Sequence, residues 1–251
     1  MLDAYREQLL LSSIKVAIET NGQGVLCHLV APLGAFTRGP TESEALAKVA
    51  GEYASYLRWL GLSQAHQPDV SIIQRHNTTL DVQDADSNIL LDSDAKAAVD
   101  QNTDGVLDLI GYSAECFDAL VLHCTHPKWI DTDRPERTFY GKRPNTIEAI
   151  FSHVDSTQDY YMSRMGLSIP DGIFGFTRRR RACIDQLRSA LREAHLRRPV
   201  EVDAEMWTSQ KVCRRFMWHD RIHAKSVVRI LRKQREAGII DNYDDPYRFF
   251  E

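Results

Sequence analysis

The sequence has no long apolar run and no surplus of positive charge, and these two absences exclude large classes of function. No stretch reaches the roughly 18 apolar residues that a membrane-spanning helix needs. Lysine and arginine number 31 against 35 acidic residues, a formal net charge of −4, so no general attraction to nucleic acid is expected. Residues 1–8 lack the basic-then-apolar order of a signal peptide. We therefore expect a cytoplasmic protein that binds neither membranes nor nucleic acid.

Cysteine is scarce and shows no pattern. The five cysteines are odd in number and widely spread, and no two form a CxxC pair. We expect reduced thiols, most of them in the core, as is usual in a cytosolic protein. The 43% of hydrophobic and 26% of charged residues are typical of a globular protein, and 251 residues allow one large domain or two ordinary ones.

Two histidines stand four residues apart in a long segment of helical period near the C-terminus. His219 and His223 belong to one stripe at steps of three and four, which comprises Val212, Phe216, His219, His223, Val227 and Ile230. The rest of that stripe is apolar, so both imidazoles are expected to face the core. A buried imidazole needs a hydrogen-bond partner or a metal ion, and this spacing lets two of them share one ion.

Two other interpretations of the histidines stay open at this point. His219 and His223 fit equally well as two unrelated core histidines, each with its own hydrogen bond. A second cluster, His123, Cys124 and His126, lies just before the helix breaker Pro127 and is another candidate metal site. A third ligand in a matching setting would decide between these possibilities.

The N-terminal part has the pattern of a small unit of strands and one helix. Alternating apolar residues predict strands over 14–19 and 25–30, a short third strand follows, and 70–73 predicts a fourth. Between the third and fourth strands, Thr41 is an N-cap, with Glu44 placed to complete a capping box. We expect this α+β unit, residues 1–76, to fold on its own and to carry His28 and His76 as surface or strand residues.

Aspartate becomes frequent over residues 77–104, and we interpret part of this segment as a solvated linker with the domain boundary near residue 92. The first domain is thus residues 1–92 and the second residues 93–251. From about residue 105 the apolar residues recur with helical period in four segments. Two short and two longer connections between them predict a four-helix bundle.

Three helix ends of the predicted bundle carry distinctive residues. Asn145 is the predicted N-cap of the second helix, with Glu148 three residues on. Four arginines, 178–181, open the third helix and oppose its dipole, so either a solvated first turn, acidic neighbours or a bound anion is expected there. The fourth helix is expected from about Ser209 to Ala237, with Gly238 ending it.

The segment from Gly34 to Leu46 resembles part of a known domain family. Its glycines, Thr41 and the acidic residues that follow resemble the step into the helix of the HicB-like antitoxin domain. The family has the same order of three strands, a helix and a strand, and the resemblance covers roughly 50 residues. No DNA-binding segment follows. The resemblance implies a small β-β-β-α-β domain that packs, dimerises or binds a partner.

Two motifs in the C-terminal part carry a second likeness. The segment from Ile150 to Tyr161 contains His153, and the segment from Trp218 to His223 contains an H-x-x-x-H pair. Together with the closing segment from Tyr243 to Phe250, they resemble the DinB-like superfamily, four-helix bundles that include the bacillithiol and mycothiol S-transferases. Gln158 stands near the place where relatives often have glutamate.

This second resemblance implies a metal site and a reaction class. His153, His219 and His223 would hold a divalent metal ion, Zn²⁺ or Ni²⁺, and leave one position open, as catalytic sites do. The implied function is a metal-dependent thiol S-transferase or hydrolase, with a small thiol or an electrophilic small molecule as substrate. Tyr160 and Arg164 lie on the His153 stripe and are candidates to line the pocket.

The alternative function is a non-catalytic one. Many DinB-like proteins have no known activity, and the HicB-like resemblance suggests a metal-binding or protein-interaction module in stress response or in a toxin–antitoxin system. Fold resemblance alone does not decide between these. An enzyme requires a cleft of ligand size that reaches the metal, whereas a module is expected to have a closed site.

Overall fold

The protein is a mixed α+β chain, the class that the sequence predicts. Its structure is a computed structural model that describes residues 2–64, 66, 68–96, 103–133, 137–138, 141–142 and 144–250. A four-stranded sheet is built from the N-terminal part, and long helices form most of the C-terminal part. None of the described helices has the length and apolar character needed to cross a membrane.

The N-terminal part folds around the four-stranded sheet. Its elements are α1 (Leu2–Glu7), β1 (Ser13–Thr20), β2 (Val25–Leu29), β3 (Phe36–Gly39), α2 (Glu42–Ala47), α3 (Val49–Trp59) and β4 (Asp69–Asn77). The strand order is β3-β2-β1-β4, with β1 parallel to β4 and antiparallel to β2. The parallel pair requires a crossover, and the helical segment supplies it.

The predicted single helix after the third strand is two helices. Thr41 caps α2 as expected, because its hydroxyl accepts a hydrogen bond from the Glu44 N–H at 3.2 Å. The helix then ends at Lys48, which is the C-cap of α2 and the N-cap of α3. Apolar side chains of both helices, including Ala45, Val49 and Tyr53, still lie in the core, as the period predicts.

Part of the second face of the sheet is buried, although the alternation in β1 predicts a half-exposed strand. Ala17 packs with Ile89 and Leu91, and Glu19 is fully buried. The covering chain contains a 3₁₀ turn (Val82–Asp84) and α4 (Asp92–Lys96). The described part of the expected linker is therefore largely packed, and residues 97–102 lie outside the described residues. The domain boundary near residue 92 stays a prediction.

Four helices of the C-terminal part pack together, each in contact with the other three. They are α5 (Thr103–Leu122), α6 (Ile147–Ser163), α7 (Phe176–Ala190) and α9 (Ser209–Glu236). Between them lie the short helix α8 (Ala194–Arg197) and two small hairpins, β5 (Arg137–Thr138) with β6 (Gly141–Lys142) and β7 (Val200–Val202) with β8 (Glu205–Trp207). Gly238 ends α9 with φ +67, as predicted.

The predicted N-cap of α6 is wrong by one residue. Thr146, not Asn145, caps the helix, and its hydroxyl accepts from the Ala149 N–H at 3.1 Å. The Asn145 carbonyl instead accepts a hydrogen bond from the Asp131 N–H at 3.0 Å. This contact holds Asn145 outside the helix, so the next residue able to cap takes the position.

Helix α9 connects the two parts of the molecule. One cluster of buried apolar side chains extends from Ile14 in the sheet to Phe117 and Val227 in the bundle. A smaller cluster joins Phe36 of β3 to Trp218 of α9. Because α9 packs against the sheet as well as against the other three long helices, its side chains are buried on nearly every face.

Candidate metal centre

Helices α6 and α9 bring the three predicted histidines together. His153 lies in the middle of α6, and His219 and His223 lie one turn apart on α9. Each helix is fixed by a threonine cap, Thr146 for α6 and Thr208 for α9, whose hydroxyl accepts from the Lys211 N–H at 3.0 Å. Packing of the buried faces of α6 and α9 against each other then points the histidines into one space.

The ligand atoms of the three imidazoles lie within 4.8 Å of one another. The Nε2 atom of His219 is 3.2 Å from Nε2 of His153 and 3.1 Å from Nε2 of His223. Ligands about 2.0–2.1 Å from a tetrahedral zinc ion are separated by about 3.3 Å, close to these distances. The arrangement is therefore compatible with three nitrogen ligands to one ion.

Burial lowers the pKa of two of these imidazoles. His219 and His223 are 9% and 6% exposed, and His153 is half-buried. Burial and the neighbouring His223 and His153 rings hold the pKa of His219 well below its usual value. Burial also lowers the pKa of His153. A neutral imidazole is the form that binds a metal, so the donor set suits a divalent ion.

A cavity of about 460 Å³ opens onto the three histidines. Its wall comes from α6, α9, the 82–91 segment and the β7–β8 hairpin, and comprises Asp84, Ala85, Asp86, Ser87, His153, Ser156, Thr157, Tyr160, Tyr161, Glu205, Trp207, Arg215, Trp218, His219, Ile222 and His223. This volume is in the range of small-molecule sites, which hold about 300–1,000 Å³. The site is thus open on one side to a ligand.

Three acidic side chains of this wall, Asp84, Asp86 and Glu205, were not expected there from the sequence. Burial raises the pKa of Asp86 to about 6, so its carboxyl exchanges a proton near neutral pH. Glu205 accepts hydrogen bonds from Arg215 at 2.8 Å and forms an ion pair with Lys211 at 2.8 Å. Asp86 belongs to the acidic segment and Glu205 to a hairpin, and neither has a local pattern that marks it.

The two predicted pocket residues lie in different places. Tyr160 lines the cavity and is 46% exposed. Arg164 is not part of the cavity wall. Its guanidinium donates to Asp203 at 2.5 Å and lies 4.2 Å from the centroid of the Tyr160 ring. Arg164 therefore contacts a wall residue, Tyr160, but does not line the cavity itself.

A buried polar network lies directly beside the histidines. Arg180 donates to both carboxylate oxygens of Asp220 at 2.8 and 3.0 Å, and to the Gln158 amide oxygen at 2.9 Å. Ser113 donates to Asp220 at 2.9 Å. Gln158 is thus a structural partner of Arg180.

Acidic neighbours compensate the arginines at the start of α7. Arg179 pairs with Asp155 and Asp159, and Arg180 pairs with Asp220. Arg181 pairs with Glu115 across to α5 at 3.3 Å. Of the alternatives open from the sequence, acidic neighbours are the one observed.

The alternative cluster before Pro127 does not assemble. The His123 ring bonds the Ala119 carbonyl, and the Cys124 thiol donates to the Leu120 carbonyl. Within the described part of the chain, the three histidines of α6 and α9 are the one group with metal-binding spacing. The five cysteines are all free thiols, as predicted.

Comparisons with family models, with curated proteins and with solved structures give no match to this chain.

Proposed function

We propose that the protein is a metal-dependent thiol S-transferase or hydrolase of the DinB-like kind, with its metal held by His153, His219 and His223. The observation that carries the proposal is the cavity of about 460 Å³ that ends on these histidines. A non-catalytic module would need only a closed site, whereas an enzyme needs space for a substrate beside its metal.

The histidines fit a divalent ion because their Nε2 atoms converge and burial lowers the pKa of His219 and His153. When bound, such an ion would supply a Lewis acid that lowers the pKa of a thiol or a water. Zn²⁺ and Ni²⁺ both suit imidazole donors. The chain's own residues then hold the substrate and move its proton.

The remaining walls of the cavity suit a small organic substrate. Trp207, Trp218 and Tyr161 provide apolar surface, and Asp86 with Glu205 provides acidic groups. Asp86, with its pKa raised by burial to about 6, is placed to accept a proton from a thiol or a water. This mixture of apolar surface and few polar groups is typical of small-molecule sites.

A second proposal concerns the N-terminal sheet, which we interpret as a HicB-like accessory unit that packs or dimerises. The supporting observation is strand β4 at one edge of the sheet, where most side chains are exposed. Val70 and Ile73 are 40% and 47% exposed on this strand. An edge strand with exposed apolar side chains can add a strand from a second chain.

The experiment that tests the enzyme proposal uses the Co²⁺-loaded protein. Addition of a small or sugar-linked thiol should change the visible spectrum of the cobalt, because an ionised sulfur replaces a weaker ligand at the open position. Binding releases the thiol proton, so it should strengthen as pH rises toward the thiol pKa. Ser156 is an exposed residue of α6 in the cavity wall, so Ser156→Phe should narrow the cavity. This variant should weaken the spectral change caused by the thiol without removing the metal.

One control variant and two possible results separate the outcomes. Arg192→Gln changes an exposed residue outside the cavity wall and should leave the cobalt spectrum unchanged. A spectrum that ignores millimolar thiol in the cobalt-loaded protein would overturn the enzyme proposal and favour the module. Failure of the protein to take up cobalt at all would overturn the metal site itself.

A further inference from the structure

A second cavity, of about 560 Å³, lies on the opposite side of Ile222 from the histidines. Ile222 and Ala85 line both cavities, so they form the wall between them. The second cavity is a cleft between α3 and α9, and we refer to it as the basic cleft. Its lining residues are Phe36, Thr37, Arg38, Lys48, Gly51, Glu52, Ser55, Arg58, Ala85, Ile222, Lys225, Ser226, Arg229, Phe249 and Phe250.

Two facing helix stripes make the basic cleft. On α3, Gly51, Glu52, Ser55 and Arg58 follow at helical steps, and on α9, Ile222, Lys225, Ser226 and Arg229 do the same. Residues at these steps share one face of a helix. The side chains of both stripes therefore point into the same space.

The charge of the basic cleft is opposite to that of the chain. Five cationic side chains and one carboxylate line it, whereas the whole chain has a net charge of −4. The carboxylate, Glu52, is already bound to Arg221 at 2.7 Å and Lys225 at 2.5 Å. It is thus committed to these two partners, and its charge does not balance the other cations.

Two arginines and a serine keep unused hydrogen-bonding capacity. In the described ranges, no carboxylate lies within ion-pair distance of Arg58 or Arg229. The Nε of Arg58 is buried without a partner. The Ser55 hydroxyl is also buried without a partner, on a residue only 7% exposed. Buried donors of this kind are costly unless a ligand binds them.

We propose that the basic cleft binds a small organic molecule through a doubly charged anionic group, either a phosphate or a dicarboxylate. Arg58 and Arg229 would donate to the anion from opposite walls, and the Ser55 hydroxyl would complete the site. Phe36, Phe249 and Phe250 give apolar surface for the uncharged part of the ligand. The proposal is independent of the metal centre, since none of the three histidines lines this cleft.

Calorimetric titration of the full chain with inorganic phosphate and with succinate, at pH 8 and low salt, tests the proposal. At least one of the two anions should bind once per chain, and the tighter one identifies the ligand class. The Arg58→Gln/Arg229→Gln variant should weaken that binding by about tenfold or more, because charge-assisted hydrogen bonds to both walls are lost. Arg178→Gln/Arg192→Gln changes two exposed arginines outside the cleft and should bind as the parent does.

Gly51→Glu provides a second variant that does not disturb packing. A Cβ at Gly51 would meet nothing within 4 Å, so the new carboxylate has room in the cleft. It should abolish anion binding while the melting temperature stays near that of the parent. A His219→Ala/His223→Ala variant should keep the binding.

Three results would overturn the proposal. The parent protein could bind neither anion, the arginine variant could bind as tightly as the parent, or binding could vanish only when the histidines are replaced. The last result would place the anion at the metal centre instead.

Discussion

Arg180 of α7 and Asp220 of α9 form a fully buried, two-pronged ion pair, at 2.8 and 3.0 Å, directly beside His219. Asp220 follows His219 in the chain, so the pair fixes α9 at the level of the three histidines. The pair also joins α7, which carries no histidine of the cluster, to the site. The bundle thereby holds the histidine face of α9 from the opposite side.

Replacing Arg180 with methionine should lower the free energy of unfolding by about 3–5 kcal/mol, because it leaves the Asp220 carboxylate buried without its cation. Denaturant titration measures the loss. Arg181→Met is the matched control, since Arg181 forms an exposed pair with Glu115. Its effect should stay within about 1 kcal/mol. Equal effects of the two variants would show that the buried pair has no special importance.

The sequence predicts the part of the site that depends on local spacing, but not the part that depends on which helices pack together. The spacing of His219 and His223 alone places both on one buried face of a helix, and the structure has them there. Periodicity within α6 puts His153 beside its apolar side, but it does not show which helix α6 meets. Only the resemblance brought His153 to the pair, and the packing of α6 on α9 now does so in space.

Other features of the molecule depend on tertiary contacts that no local pattern contains. Glu19 alternates with apolar residues in β1 and reads as exposed, yet the 82–91 segment covers it. Asp86 belongs to an acidic run that is typical of a solvated linker. It lines a cavity only because that run folds back against the sheet and α9.

The proposed metal site makes a stoichiometric prediction. Protein purified without a histidine tag should contain about one divalent ion per chain. His153→Ala/His223→Ala should lose it, because a single remaining imidazole cannot hold the ion. His123→Ala, on an exposed histidine outside the cluster, should retain it. Elemental analysis is the measurement, and stoichiometric metal in the double variant would contradict the assignment.

The buried pair of Glu19 and His28 makes a prediction about pH. Burial alone would raise the pKa of Glu19, but hydrogen bonds from His28, Ser87 and Asn88 outweigh it and lower the pKa to about 2. Burial also lowers the pKa of His28. Both groups bind protons more readily in the unfolded chain, so acid favours unfolding.

The Glu19 contribution to stability should be fully present above pH 4.5 and lost as pH falls toward about 2. Glu19→Gln should therefore destabilise the protein at pH 7 and leave it nearly as stable as the parent near pH 2. Denaturant titration across this range measures the difference. Glu236→Gln, on an exposed side chain, should follow the parent at every pH. A constant difference between Glu19→Gln and the parent from pH 7 to pH 2 would contradict the argument.

Gly34 provides the last prediction, because it lies where the N-terminal sheet meets α9. Its φ is +75, and a Cβ there would lie 2.5 Å from the Met217 Cβ and 2.6 Å from the Trp218 nitrogen. Gly34→Ala must therefore push α9 away from the sheet just before His219.

Gly22→Ala is the matched control, since Gly22 has φ +81 and nothing within 4 Å of the new Cβ. The control should cost only the strain of the left-handed backbone, about 1–2 kcal/mol. Gly34→Ala should cost clearly more by denaturant titration and should also weaken metal retention, which Gly22→Ala should leave intact. Equal losses in the two variants would mean that the close approach of the sheet does not hold α9, and that the two parts of the chain are coupled elsewhere.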